Sequence, residues 1–215
     1  MTVIAGCASE KTAPQAPAAS AQPPQPAPAE AAKLRSALLQ VPKGMEVAYG
    51  PEIGTYGTLR FTKQSLDAIR ESKLEHPECA GATQLDAARP EIAKAPAAVV
   101  KFTSARGVIT QSVMALPPEA FPGPLPDQCD AYSAQVRGME VVYRTRDLAL
   151  PRQGDESRAY LTTASGGERQ AQIGTVTIRR GGFVMSLMVV GQEVKRAGLL
   201  ELSRLADQNL SKAAV

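Results

Sequence analysis

A chain of 215 residues can bury one substantial core and is too short for two large domains once any linker is subtracted. Hydrophobic residues make up 44% and charged residues 21%, the balance of an ordinary folded domain. The net charge of +3 comes from scattered Lys and Arg, aromatics are 4% and Trp is absent, so no basic stripe with stacking side chains exists and nucleic acid is excluded as a partner.

At the N-terminus, Ile4-Ala5-Gly6-Cys7 sets an aliphatic residue and two small ones before a cysteine. This resembles the lipobox of bacterial lipoproteins, which implies a lipid on Cys7. Six residues precede that cysteine, fewer than a basic segment plus an apolar stretch of about 7 to 15 residues require, so residues 1–7 are expected to be the remnant of a longer signal. Residues 8–32 read ASEKTAPQAPAASAQPPQPAPAEAA, without apolar periodicity. Such a segment cannot offset its ordering entropy by burial, and it is expected to be a disordered tether reaching up to roughly 75 Å. The longest apolar run, Phe183 to Val190, is strand-sized, so attachment to a membrane would rest on the lipid.

Three cysteines are present, and a lipid on Cys7 leaves Cys79 and Cys129 as an even pair. A bond between them would destabilise the unfolded chain by about 4 kcal/mol in the chain-entropy treatment. A reactive pair or a metal site is the rival reading. With His76 as the sole histidine, however, the set falls short of four zinc ligands unless acids join, and no metal or other cofactor is expected.

The folded domain is expected over residues 33–213. A helix should run through AEAAKLRSALLQV, with Leu34, Leu38 and Val41 on one face and Pro42 and Gly44 ending it. A second is expected from Lys63 to Lys73, with Thr62 as N-cap and Leu66, Ile69 and Leu74 marking its sides; TLRFT before it reads as helix or strand end. A weaker helical piece falls between Thr83 and Lys94, interrupted at Pro90. AAVVKFTSA and GVITQSVMAL read as strands around Arg106-Gly107, and the proline-rich PPEAFPGPLPDQ as a loop. AQVRGMEVVYRTRDL reads as one strand and SRAYLTTA as another, and QIGTVTIRR and FVMSLMVVG form a hairpin across Gly181-Gly182. The strand Phe183 to Val190 is apolar on both faces, as a central strand should be. Leu199, Leu202, Leu205, Ala206 and Leu210 recur at helical spacing on a closing helix. The expected class is α+β: a twisted antiparallel sheet with N- and C-terminal helices packed on it and a single disulfide.

The order of a lipobox, a Pro/Ala tether, LLQVPKGM, HPECAGATQ, LPDQCDAY, TIRRGGFVMSLMVVG and LLELSRLADQNLSKA resembles actinobacterial, mycobacterial-type envelope lipoproteins of the PknH-like sensor-domain superfamily, over roughly Ala31 to Ala213. That resemblance implies an antiparallel sheet flanked by helices, disulfide stabilisation and a groove for an extracellular ligand. The chain departs from the kinase sensors in having cysteines for one disulfide rather than two, and no kinase domain.

The sequence carries no Gly-x-Ser-x-Gly elbow, Ser-x-x-Lys dyad, P-loop, Gly-x-Gly-x-x-Gly or His-Glu-x-x-His. His76 precedes Pro77 in a loop, and Asp127, Asp130, Asp155 and Glu156 read as solvated loop acids. No catalytic residue is assigned and no enzyme is expected. Two features mark candidate binding surfaces. Arg144 and Arg146 share one face of a strand and, with Arg179 and Arg180 ending another, could meet an anionic headgroup, or simply keep a wet sheet face soluble. Met114, Met139, Met185 and Met188 line an adaptable groove or fill core. The sequence thus reads as a non-enzymatic, lipid-anchored binding or sensor lipoprotein on the extracytoplasmic face of the cell membrane, with an unidentified envelope ligand or protein partner. A lipid or glycolipid carrier and an envelope assembly protein are the alternatives.

Overall fold

The structure is a computed structural model describing residues 25–214. Cys7, the expected signal remnant at 1–7 and most of the expected tether lie outside the described residues. The end of that tether is helical: α1 (Pro28–Ser36) begins at a proline, whose missing N–H and fixed φ suit a first turn. There follow β1 (Glu46–Thr55), α2 (Arg60–Glu71), β2 (Lys73–Leu74), α3 (Pro90–Ala93), β3 (Pro96–Ser104) and β4 (Gly107–Ala115). The C-terminal part contains β5 (Ala131–Val136), β6 (Met139–Asp147), β7 (Glu156–Gly166), β8 (Arg169–Arg180), β9 (Phe183–Gly191) and α4 (Arg196–Ala213). All strands join one nine-stranded sheet in the order β1-β3-β4-β9-β8-β7-β6-β5-β2, with every neighbouring pair antiparallel. The expected α+β class with terminal helices and one disulfide is the class observed.

Alternation along the strands divides the sheet into two faces. On the helix face, Val176 and Ile178 of β8, Met185 and Leu187 of β9 and Phe102 of β3 pack against Leu34 of α1 and Leu199 and Leu210 of α4. Gly174 lets α4 approach closely, because a Cβ there would fall 2.9 Å from Leu199 Cδ2. The opposite face carries a smaller core of Tyr56, Leu59, Ile92, Val99, Met114 and Val184, under the turn at Tyr56–Thr58, α3 and the proline-rich loop. As its two-sided apolar pattern foretold, β9 lies inside the sheet and contributes to both cores.

Several expected boundaries move. The first helix stops at Ser36 rather than continuing to Val41, which is 50% exposed. The cause is a buried amide: Gln111 of β4 accepts from Leu39 N–H at 2.6 Å and donates to Ala37 O at 3.3 Å, while Asn209 Nδ2 of α4 donates to Leu38 O at 3.0 Å. Tertiary partners thus satisfy the backbone beyond the helix end. The second helix starts at Arg60, so Thr62 lies inside its first turn, buried, and not at its cap. Of the helical piece at 83–94 only α3 forms, and Pro90 opens it rather than interrupting it. The single strand expected over 134–148 is a hairpin, with Arg137 at φ 51° and Gly138 at φ 80° turning β5 into β6. β1, for which no element is named from the sequence, carries Gly50-Pro51 at its middle. It survives as an edge strand with register shifts around Tyr49, where a proline costs no central ladder bond.

Substituting Gln111 by Leu leaves the Leu39 N–H and Ala37 carbonyl without their partner and should destabilise the fold by about 1–3 kcal/mol. Urea unfolding should show this as a lower midpoint with unchanged slope; an unshifted midpoint would mean that α1 docks without this amide.

Candidate functional site

Helix α2 is amphipathic, with Thr62, Ser65, Leu66 and Ile69 at helical spacing on its inward side. It leaves the β1 side of the sheet after Leu59 and ends where β2 joins β5 at the opposite edge. Of its residues only Thr62 is buried; Leu66 is half-buried and Ile69 is 37% exposed. An amphipathic helix whose apolar side is not covered stands off from the surface it crosses. The gap is a half-open groove of about 650 Å³, within the size range of small-molecule sites.

Its floor comes from the β5–β6 hairpin and β9. Tyr132 and Tyr143 are cross-strand partners with ring centroids 5.1 Å apart and planes 16° from parallel, followed outward by Ala134, Val136 and Met139, with Met188 at the inner end. The second wall is the 80–87 segment, including Gln84 and Leu85. The Cys79–Cys129 disulfide holds the start of this wall: it joins the turn at Pro77–Cys79 to the turn at Asp127–Cys129, immediately before β5. Both sulfurs are joined in that bond, which is the disulfide reading of these cysteines and leaves neither as a thiolate ligand for a metal.

All five tyrosines have pKa values raised above the ordinary value. Burial is the leading cause in each case, and for Tyr132 the neighbouring Tyr143 adds to it. At Tyr56, which lies at the groove's inner end, nearby Ser112 and Thr62 hydroxyls oppose the shift.

The four candidate arginines are not brought together. Arg144 and Arg146 do share a face of β6, where the register aligns them with Gln172 and Gly174 of β8 through β7. Arg180 shares that face but lies six residues beyond Gly174, about 20 Å along the strand, while Arg179 points to the opposite face. Arg180 is engaged in a bidentate pair with Asp207 of α4 at 2.8–3.0 Å, and Arg179 with Asp155 at 3.3 Å. Arg146 lines a separate cavity of about 440 Å³ with Arg196, whose guanidinium donates to Ala149 O. Of the methionines, Met114 and Met185 are fully buried core, whereas Met139 and Met188 line the groove. His76 is 3.5 Å from Glu78 in its loop and does not line the groove. Sequence reasoning missed the tyrosine pair and the groove walls. The clue was a period-two row, Tyr132-Ala134-Val136 and Met139-Val141-Tyr143, interrupted by Arg137-Gly138.

No sequence-family model and no curated protein matches the chain. Among solved structures, the extracellular domain of PknH from Mycobacterium tuberculosis superposes over 89% of this chain and 98% of its own, with TM-score 0.56 at 12% identity. The fold is that of the PknH extracellular domain. An uncharacterized protein from Mycobacterium smegmatis aligns over 87% of this chain and 96% of its own, with TM-score 0.49 at 10% identity. No helix among the described residues is long and apolar enough to cross a membrane.

Because each folded-state tyrosine pKa is raised, the associated stability is complete below the unfolded value near 10 and is lost as pH rises through the folded values. An alkaline titration of phenolate absorbance should therefore show native tyrosines ionising above the free-tyrosine range, together with unfolding. A group titrating at the free value in the folded protein would contradict this.

Proposed function

We propose that this protein is a non-enzymatic, extracytoplasmic binding domain of the sensor type, held to the membrane by a lipid on Cys7, and that its ligand lies between α2 and the β5–β6 hairpin. The observation that carries this reading is the stand-off of α2: Leu66 and Ile69 face a groove instead of a core. Leaving an apolar helix side uncovered forfeits burial worth about 25 cal/mol per Å², and an apolar ligand restores it. The likeness to an extracellular domain, the structural disulfide and the lipobox-like Ile4-Ala5-Gly6-Cys7 all fit an oxidising location outside the cytoplasm. The groove's charged lining members are Glu71, Asp86 and Arg137.

A second reading, a carrier of lipid or glycolipid across the envelope, is favoured by the predominantly apolar lining. Sensor and carrier differ in exchange: a carrier transfers its cargo between vesicles, whereas a sensor holds it without transfer.

Native mass spectrometry of protein from its host should reveal a bound amphipathic small molecule that Leu66→Asp or Ile69→Asp removes, with the far-UV spectrum unchanged. Empty wild-type protein that also fails to bind any added amphiphile would refute the groove as a ligand site. Separately, metabolic fatty-acyl labelling should mark the wild-type chain and disappear in Cys7→Ala; equal labelling of both would refute the anchor.

A further inference from the structure

The three charged side chains of the groove are not equivalent. Asp86 accepts from Ala88 N–H at 2.8 Å and lies beside Tyr56 at the inner end. Glu71 and Arg137 are at the mouth. Glu71 is the last residue of α2, Arg137 is in the β5–β6 turn, and the pairing Lys73↔Gln135 brings these two chain reversals together. Both are exposed, and neither has an ion-pair or hydrogen-bond partner among the described residues. They line one cavity yet do not pair with each other. Ile69 of α2 and Met139 of β6, 37% and 52% exposed, line the same groove.

Arg137 also occupies left-handed backbone, the sole non-glycine residue to do so among those described. A two-residue hairpin turn is satisfied by Asn or Gly at this position, so arginine gains nothing there from the backbone. Its distinctive contribution is a guanidinium at the groove mouth.

Resting on the proposed groove function, we infer that the ligand is a single-chain amphiphile with a zwitterionic headgroup. Its anionic group meets Arg137, its cationic group meets Glu71, and its chain runs inward over Ile69, Met139 and the tyrosine pair. An anionic headgroup would engage Arg137 while facing the Glu71 carboxylate, and a cationic one would meet the reverse conflict. An uncharged headgroup would leave both mouth charges unused. A headgroup carrying both signs is the one that complements the pair.

The test is calorimetric titration of the full chain with three probes of equal short chain length, each below its micelle concentration: lysophosphatidylethanolamine, lysophosphatidylglycerol and monoacylglycerol. The zwitterionic probe should bind about tenfold more tightly than either of the others, and Arg137→Asn and Glu71→Gln should each weaken it by about threefold while leaving monoacylglycerol binding unchanged. Asn keeps the left-handed turn, and monoacylglycerol binding reports that the groove remains intact. Equal affinity for all three probes, or tightest binding of the anionic one, overturns the headgroup assignment and leaves the groove function standing. If no probe binds, monoacylglycerol included, the groove function falls and this inference falls with it.

Discussion

A nine-stranded antiparallel sheet has two faces to keep from water, and this chain has enough helix to seal one of them. The helix face is closed by α1 and by α4, an 18-residue helix that Gly174 admits close to the strands. The other face is covered by turns, the four-residue α3, the proline-rich loop and one crossing helix. Irregular segments satisfy their own backbone poorly and cover area thinly, so this second layer is tight over β3, β4 and β9 and open over β5 and β6. The groove is the geometric remainder of that shortfall.

What keeps the remainder from collapsing is attachment at both sides. α2 is fixed at its start by Leu59 in the smaller core and at its end by β2, which adds to β5 at the far edge of the sheet. The facing wall is fixed where the disulfide joins the Cys79 turn to the segment entering β5. A helix held at both ends spans the floor without sinking onto it, and the stacked Tyr132–Tyr143 pair stiffens that floor. The same disulfide that supplements a modest core therefore also shapes the cavity, because its anchor points lie beside the floor.

The helix face was largely legible in the sequence because its elements obey local rules. Leu199, Ala206 and Leu210 repeat at helical spacing, and Phe183 to Val190 is apolar throughout as a strand with core on both sides must be. Two of the misread elements depend on contacts or neighbours distant in sequence. The helix end at Ser36 is set by Gln111, more than 70 residues away, and β1 survives its Gly50-Pro51 break because it lies at the sheet edge. The β5–β6 turn was hidden since Arg137 is a poor advertisement for left-handed backbone.

The sequence by itself determined the fold class, the central strand and the closing hairpin at Gly181-Gly182, since periodicity and turn residues are local properties, whereas the bond between Cys79 and Cys129 was one of the readings it left open. Tertiary structure alone decided that Arg180 is committed to Asp207 instead of to a cluster with Arg144 and Arg146, and that Met139 and Met188 line a cavity while Met114 and Met185 fill core. Those outcomes depend on strand order and register across the sheet. Side chains of the same type then meet different neighbours, and no pattern within a single segment encodes which.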